Sequence, residues 1–167
     1  GQNWSLVDIG FQTDSLYDIA VVSSDEIWAL GENGLIHWHD GITTKEGLCG
    51  STDKQGRCIF YEPAKKLWVA GHNDVWISIE ARYGDDMVHY DGSSWTGWRL
   101  PMQMHISDLW GSGPNDIWAV GHVSGPFGWI AHWNGHQWFT SPSPTAKSEL
   151  KKIWGSGPND VWVVGRH

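Results

Sequence analysis

The chain has 167 residues, among them 14 tryptophans and 21 glycines, and a formal net charge of −8. Its length is enough for one sizeable hydrophobic core, and the lack of sustained helical periodicity beside so many glycines indicates short strands joined by tight turns. The negative charge argues against proteins that bind nucleic-acid phosphates or anionic membranes, and no apolar run approaches the ~20 residues of a membrane-spanning helix.

The first predicted element is a strand around Asn3–Val7. Its Trp4 lies 16 residues before Ala20, just as Trp138 lies 16 residues before Trp154. Trp138 opens the predicted fourth and last strand of a repeat unit. The chain is therefore expected to begin with the last strand of a unit.

A repeat then runs along the chain. Leu109–Gly121 and Ile153–Gly165 are nearly identical, and both contain Trp-Gly-Ser-Gly-Pro-Asn-Asp. Weaker copies precede them, and the second tryptophan of the motif recurs at intervals of 48, 42 and 44 residues. A period of about 40 to 50 residues is typical of β-propeller blades. The residues predicted to build the blades are Trp28, Trp76, Trp118, Trp162, Asp116 and Asp160.

A second motif, histidine-aromatic-Asx-glycine, follows the first three copies of the repeat. It begins at His37, His89 and His132. Asp-Gly and Asn-Gly predict two-residue type I′ hairpins, because both central residues of that turn need positive φ. Each unit therefore predicts four antiparallel strands, with the histidine on the third and a further tryptophan, Trp95 or Trp138, opening the fourth.

The predicted fold class is all-β: a β-propeller made of four-stranded antiparallel blades, with about three complete blades and partial blades at both termini. Residues 1–167 form a single propeller domain or propeller fragment. A ring closed from these strands alone would lack one strand and leave unpaired backbone groups at sheet edges. We therefore expect roughly half of a six- to eight-bladed ring. The expected units are residues 1–12, 13–66, 67–103, 104–145 and 146–167.

The motif Trp-Gly-Ser-Gly-Pro-Asn-Asp-Val-Trp-Val-Val-Gly, combined with His-Trp-Asn-Gly hairpins, resembles the tryptophan-rich propeller repeats of bacterial, myxobacteria-like secreted and surface-anchored proteins. The resemblance covers most of Ser15–Gly165. It implies a propeller in an extracellular or cell-envelope setting, and it implies no catalytic activity. The sialidase Asp-box and the quinoprotein motif are both absent from the sequence.

The repeated polar residues have a structural interpretation. The turn aspartates, such as Asp74, are expected to bind backbone N–H groups of their own turns, since no unit supplies the clustered oxygens that calcium needs. The three repeated histidines would lie one blade apart, which is too far for one ion, so hydrogen bonds within each blade are expected. His37 and His39 face the same side of a strand, but the sequence shows no third ligand. No metal site and no cofactor is predicted.

The sequence shows no nucleophile constellation. A Gly-x-Ser-x-Gly elbow, a phosphate-binding glycine loop and an arginine cluster are all absent. The chain is therefore not predicted to be an enzyme.

Cys49 and Cys58 are the only two cysteines. They lie in a polar, glycine-rich insertion, and a pair that closes a small loop in an extracytoplasmic protein predicts a disulfide. Two free thiols are the alternative.

Candidate binding residues come from the loops that vary between units. The step from the second tryptophan of a unit to its histidine is 9, 13 and 14 residues in the first three units, so the loop between the second and third strands is enlarged in two of them. In repeat proteins the variable loops often form the binding face. The candidate ligand-binding residues in or beside these loops are Arg82, Tyr83, Asp85, His122, Phe127 and Trp129.

These features favour a non-catalytic extracellular or cell-envelope propeller that acts as a protein-interaction or assembly scaffold. Its expected partner is a protein, or further copies or segments that complete the propeller. A carbohydrate-binding, lectin-like module is an alternative, since flat aromatic rings cover apolar surface and keep a polar handle. The propeller part of a secreted hydrolase is another. Neither nucleic-acid binding nor membrane insertion is expected.

Overall fold

The computed structural model describes residues 15–31, 34–46, 64–80, 86–125, 127–144 and 148–166. The expected opening strand at Asn3–Val7 and the two cysteines lie outside these ranges. The regular elements that the structure describes are 14 β-strands. Among these residues there is no helix long and apolar enough to cross a membrane.

The strands form four antiparallel sheets, three of them four-stranded and the last two-stranded. The first sheet contains β1 (Leu16–Ser23), β2 (Glu26–Gly31), β3 (Gly34–His39) and β4 (Ile42–Glu46). The second contains β5 (Ala64–Gly71), β6 (Asp74–Ile79), β7 (Met87–Tyr90) and β8 (Trp95–Trp98). The third contains β9 (His105–Gly113), β10 (Asp116–His122), β11 (Gly128–Trp133) and β12 (Trp138–Pro142). The fourth contains β13 (Glu149–Gly157) and β14 (Asp160–Arg166).

This arrangement confirms the predicted fold class, a β-propeller of four-stranded antiparallel blades. In each complete sheet the strands lie side by side in chain order, as consecutive hairpins require. One boundary differs from the expected units: β5 begins at Ala64, so the second blade starts before residue 67.

The blades stack against one another through their faces. The inner strands contact each other in the order β1, β5, β9, β13. The second strand of a complete blade is buried on both faces, which explains its continuous apolar run. In β6, for example, every residue from Val75 to Ile79 is buried. Trp28 of the first blade shares one core with Val75 of the second, and Trp76 shares another with Ile117 of the third. A blade's core is therefore completed by its neighbour.

The hairpins that join third and fourth strands are of two kinds. In the first blade, Asp40 and Gly41 both have positive φ, 50° and 77°, and form the predicted two-residue turn. In the second blade the turn spans four residues, because Tyr90 pairs with Trp95. There Asp91 Oδ1 accepts hydrogen bonds from the backbone N–H groups of Ser93 and Ser94, both at 2.9 Å.

The third blade repeats this four-residue turn. Asn134 Oδ1 accepts from the N–H groups of His136 and Gln137, both at 3.0 Å. The prediction of a type I′ turn was therefore wrong for the second and third blades. The Asx side chain holds a longer turn there, and only the glycine needs positive φ.

Candidate functional site

The repeat builds the same polar arrangement in each blade. In the third blade, Trp118 Nε1 donates to Asp116 Oδ1 at 2.9 Å, and His132 Nε2 donates to the same oxygen at 2.7 Å. The imidazole stacks on the indole, with ring centroids 3.8 Å apart and planes 13° apart. The Asp-x-Trp spacing on one strand and the histidine on the next therefore form one interlocked group.

The other blades contain the same group, some with changes in the carboxylate or the histidine. The second blade repeats it with Asp74, Trp76 and His89, where both hydrogen bonds are 2.9 Å long. The first blade has Glu26 in place of the aspartate. In the fourth sheet, Trp162 Nε1 donates to Asp160 Oδ1 at 2.7 Å. The structure describes no third strand, and so no histidine, in that sheet.

The turn aspartates therefore act differently from the expectation. Their carboxylates accept hydrogen bonds from side chains: from the indole of the same blade in each case, from an imidazole at Asp74 and Asp116, and from a serine hydroxyl at Asp116 and Asp160. Burial raises the pKa of Asp116, but hydrogen bonds from Ser112, His132 and Trp118 outweigh it, and the net pKa is lowered. Each repeated histidine forms its hydrogen bond with the carboxylate of its own blade.

Neighbouring blades fit together through a tryptophan and a glycine. A Cβ on Gly111 would lie 2.6 Å from Cζ2 of Trp68 in the preceding blade. A Cβ on Gly155 would lie 2.6 Å from Cη2 of Trp110. Because real Cβ atoms do not approach so closely, Gly111 makes room for Trp68 and Gly155 makes room for Trp110, in each case a tryptophan of the preceding blade.

A hydrogen bond from a backbone N–H group to an aspartate side chain joins the first blade to the second and the third blade to the fourth sheet. Asp18 Oδ2 accepts from the N–H of Leu67 in the second blade at 2.9 Å. Asp108 Oδ2 accepts from the N–H of Ile153 in the fourth sheet at 3.0 Å. Inner-strand aspartates thus fix the register of one blade against the next.

The last sheet exposes the face that other blades bury. Trp28 is 1% exposed and Trp76 is fully buried, but Trp154 is 62% and Trp162 is 67% exposed. Trp162, although predicted to build a blade like Trp28 and Trp76, is therefore exposed together with Trp154. The physical reason is local, since no further sheet packs on that face within the part of the chain that the structure describes.

The predicted binding residues are described only in part. Arg82, Tyr83 and Asp85 lie outside the described residues. Among the others, Phe127 is 48% exposed. His122 and Trp129 are half-buried, and Trp129 packs against the core between the second and third blades.

His122 is engaged with its neighbours. Its ring stacks on that of His105 at 5.0 Å, and its Nδ1 lies 3.2 Å from a carboxylate oxygen of Glu149. Burial lowers the pKa of His122, an effect that the nearby Glu149 opposes.

A cleft of about 460 Å³ opens beside these loops, between the second and third blades. Its lining includes the exposed side chains of Lys65, Glu80 and His105 and, deeper in the fold, residue Ser78. The hydroxyl of Ser78 is buried and has no hydrogen-bond partner among the described residues.

A cluster of three histidines lies at the opposite ends of the strands, between the first and second blades. His37 and His39 come from β3, and His72 comes from the turn between β5 and β6. One ring nitrogen of each lies within 4.8 Å of one ring nitrogen of the other two. Sequence reasoning missed His72. The available signal was its position, because proline, Pro114 or Pro158, occupies that place in the two strong copies of the repeat.

The buried carboxylate of Glu26 anchors this cluster. Its Oε1 accepts from His37 Nε2 at 2.9 Å and from His72 Nδ1 at 2.7 Å. Burial raises the pKa of Glu26, but the hydrogen bonds from the two histidines outweigh it, and the pKa is lowered. Trp28 Nε1 is a third donor to the same oxygen, at 3.3 Å.

No protein-family model and no curated protein matches this sequence significantly. Solved structures do match its fold. A structure of YCF48 bound to D1 peptide aligns with a TM-score of 0.57 at 17% identity, over 93% of this chain and 54% of that one. YCF48 from Cyanidioschyzon merolae aligns with a TM-score of 0.53 at 13% identity, over 99% of this chain and 71% of that one. The chain thus spans about half the length of the first structure, and the similarity supports the propeller fold.

Proposed function

We propose that this chain is a non-catalytic protein-interaction propeller that takes a β-strand, from a further segment of the same protein or from another protein, at the edge of the last sheet that the structure describes. The observation that carries the proposal is the open edge of β14. In the first three blades the second strand, β2, β6 or β10, pairs on both sides, whereas β14 pairs only with β13 among the described residues. An exposed strand edge is a template for strand addition, in which main-chain hydrogen bonds give affinity and side-chain pockets give specificity.

The repeat indicates which residues a strand paired with β14 would carry. Across the second and third strands of each complete blade, the tryptophan pairs directly with the histidine, as Trp118 does with His132. In the last sheet the tryptophan and carboxylate, Trp162 and Asp160, are already joined by a hydrogen bond. A strand with histidine opposite Trp162 would complete the group.

A groove beside β14 fits the rest of such a strand. It has a volume of about 470 Å³ and is lined mainly by apolar side chains of the third and fourth sheets, including Ile130, Leu150, Val161 and Val163. In the third blade, Trp133 follows the histidine and packs into the core shared with the second blade. The partner strand is therefore expected to carry the order histidine-aromatic.

The first sheet of a second copy fits this end of the chain poorly. The exposed Trp154 would need a glycine on the sheet that packs over it, as Trp68 needs Gly111 and Trp110 needs Gly155. The first sheet has Val21 at that position. The partner is thus expected to be a different blade or strand, from a further segment or from another protein.

The fold comparison is compatible with a peptide partner, because the similar structure of YCF48 holds a D1 peptide. Strand addition needs only an extended segment and an open edge. The proposal for this chain rests on its own edge and groove.

The test uses a peptide copied from the chain itself. Residues 127–142 include the third and fourth strands of the third blade, with His132 in the required order. A fluorescent version of this peptide should bind the chain and raise its own fluorescence anisotropy. Hydrogen exchange should slow at the backbone amides of β14 and remain unchanged at those of β2, which is already paired on both sides.

The controls distinguish the specific hydrogen bond to Asp160 from non-specific peptide binding. A peptide with His132→Ala should bind at least several-fold more weakly, because it cannot donate to Asp160. The chain variant Asp160→Ala should bind both peptides alike. Equal binding of both peptides to the unaltered chain, or unchanged exchange at β14, would refute strand addition at this edge.

We also place the protein outside the cytoplasm, in an extracellular or cell-envelope setting. The support is the resemblance of its repeats to those of bacterial, myxobacteria-like secreted proteins, and this setting in turn predicts the Cys49–Cys58 disulfide. Alkylation of the isolated protein with and without reduction, followed by mass spectrometry, tests the disulfide. Two alkylated thiols in the unreduced protein would count against both expectations.

The cleft between the second and third blades favours a second candidate function, carbohydrate binding. It offers the charged side chains of Lys65 and Glu80 in its lining and the exposed Phe127 on an adjoining loop. A glycan array is the direct test. A hit that is lost in Phe127→Ala and kept when β14 is blocked by the peptide would assign sugar binding to this separate site.

A further inference from the structure

We infer that His37, His39 and His72, together with Glu26, form a site for a borderline divalent metal ion of the Zn²⁺ class, which joins the first two blades. The three imidazoles come from two different blades, and their nitrogens converge within 4.8 Å. Imidazole nitrogen with one carboxylate is a ligand set that zinc and its neighbours in the first transition row prefer.

The geometry around Glu26 supports this assignment. His37 Nε2 and His72 Nδ1 both point at the same carboxylate oxygen, at 2.9 and 2.7 Å. A cation bound by these two nitrogens would replace the hydrogens that they now direct at Glu26, and would meet the carboxylate directly. Its positive charge would be compensated in a place where Glu26 is only 4% exposed.

His39 supplies the third nitrogen. Its ring centroid lies 4.9 Å from that of His72 and 5.8 Å from that of His37. With metal–nitrogen bonds of ~2.1 Å, tetrahedral ligands lie about 3.4 Å apart. The histidine nitrogens, which lie within 4.8 Å of one another, therefore need to approach by at most about 1.4 Å, and those of His37 and His72 need to move about 0.6 Å away from Glu26 Oε1 to admit the ion. Side-chain rotation of the half-exposed His39 and His72 can provide most of this change.

Two departures from the repeat fall at this one place. His72 stands where Pro114 and Pro158 stand in the later turns. His39 is an extra residue before the Asp-Gly turn, and the two-residue turn at Asp40 extends β3 to include it. The repeat unit alone explains neither histidine, whereas a metal site explains both.

The test starts from the whole chain, purified without a histidine tag and stripped of metal with a chelator. Calorimetric titration with Zn²⁺ is expected to give one ion per chain. Titration with Co²⁺ is expected to give visible absorption bands of a four-coordinate nitrogen and oxygen site. Zn²⁺ should also raise the unfolding temperature, because it binds the folded chain preferentially.

Variants locate the site. His72→Pro restores the residue found in the equivalent turns, and His39→Asn removes a side chain that is 42% exposed, so both are expected to keep the fold. Each should weaken Zn²⁺ binding at least tenfold and abolish the Co²⁺ bands. His136→Asn, on an exposed turn of the third blade, should leave both unchanged.

The result that overturns the proposal is equally clear. This site would be excluded if either His72→Pro or His39→Asn bound Zn²⁺ as tightly as the unaltered chain. The variant must also show the circular dichroism of the folded protein. An unaltered chain that binds no Zn²⁺ at micromolar concentrations would exclude the site as well. If His72→Pro fails to fold, the His39→Asn result alone decides.

Discussion

The ring of His132 lies flat on the indole of Trp118, with centroids 3.8 Å apart, and both rings donate to one oxygen of Asp116. The two residues pair directly across neighbouring strands. This contact combines aromatic stacking with two charge-assisted hydrogen bonds, and it recurs in three blades. The first two predictions below concern this group.

Replacement of His132 by alanine is expected to destabilise the chain by about 2 kcal/mol. The reason is the loss of a hydrogen bond to a charged acceptor, worth roughly 1.5–3 kcal/mol, in a half-buried position. Urea unfolding followed by circular dichroism measures the change. His136→Ala, in an exposed turn, should change the unfolding free energy by less than ~0.5 kcal/mol. Similar losses in the two variants would contradict a special role for the stacked histidine.

Asp116 is expected to make stability depend on pH in the acid range. Its folded pKa is lowered from 3.8, because hydrogen bonds from Ser112, His132 and Trp118 outweigh burial. Such a group adds stability that is complete above the unfolded pKa and is lost as the pH falls through the folded value. Asp116→Asn should therefore be less stable than the unaltered chain at pH 7, and the difference should shrink below about pH 4. A difference that stays constant from pH 7 to pH 3 would contradict this account.

Asp91 is expected to titrate at about pH 2. The hydroxyl of Ser93 is the largest cause of this lowered pKa, followed by the backbone N–H groups of Ser94 and Ser93, all of which bind the ionised carboxylate. Ser93→Ala should raise the pKa towards its ordinary value, whereas Ser124→Ala, in a different loop, should not. The carboxyl carbon shift of Asp91 in an NMR titration measures it. An unchanged midpoint in Ser93→Ala would show that the backbone donors suffice.

Trp68 and Gly111 are expected to show coupled effects on stability. Gly111→Val alone should cost at least about 1–3 kcal/mol, because its side chain overlaps the indole of the preceding blade and also approaches the carbonyl oxygen of Asp116 in its own blade. Trp68→Ala alone should leave a cavity. The double variant copies the residues at the first junction, Ala20 and Val69, and should be more stable than the sum of the single effects predicts. Additive losses in chemical unfolding would mean that the two side chains do not compete for the same space.

Much of the fold could be read from the sequence, since each blade repeats a local code. The Trp-to-Trp spacing and the Asp-Gly and Asn-Gly signals placed the hairpins because strand pairing between neighbours depends on nearby residues. The type of turn between the third and fourth strands was harder to predict from the sequence. Asp91 and Asn134 hold four-residue turns where Asp40 forms a two-residue one, and the first blade differs from the other two by the extra residue His39 before Asp40.

The sequence alone determined the all-β class, the blade period and the inner strands, because these follow from local hydrophobic pattern and turn chemistry. Only the tertiary structure decided which residues of different blades meet. His72 reaches Glu26, 46 positions away, and Trp68 fits against Gly111, because stacked sheets bring equivalent positions of successive repeats together. The exposure of Trp154 was hidden for the same reason. Whether a repeated side chain is buried depends on the sheet that packs against it. The residues of a single strand do not show which sheet that is.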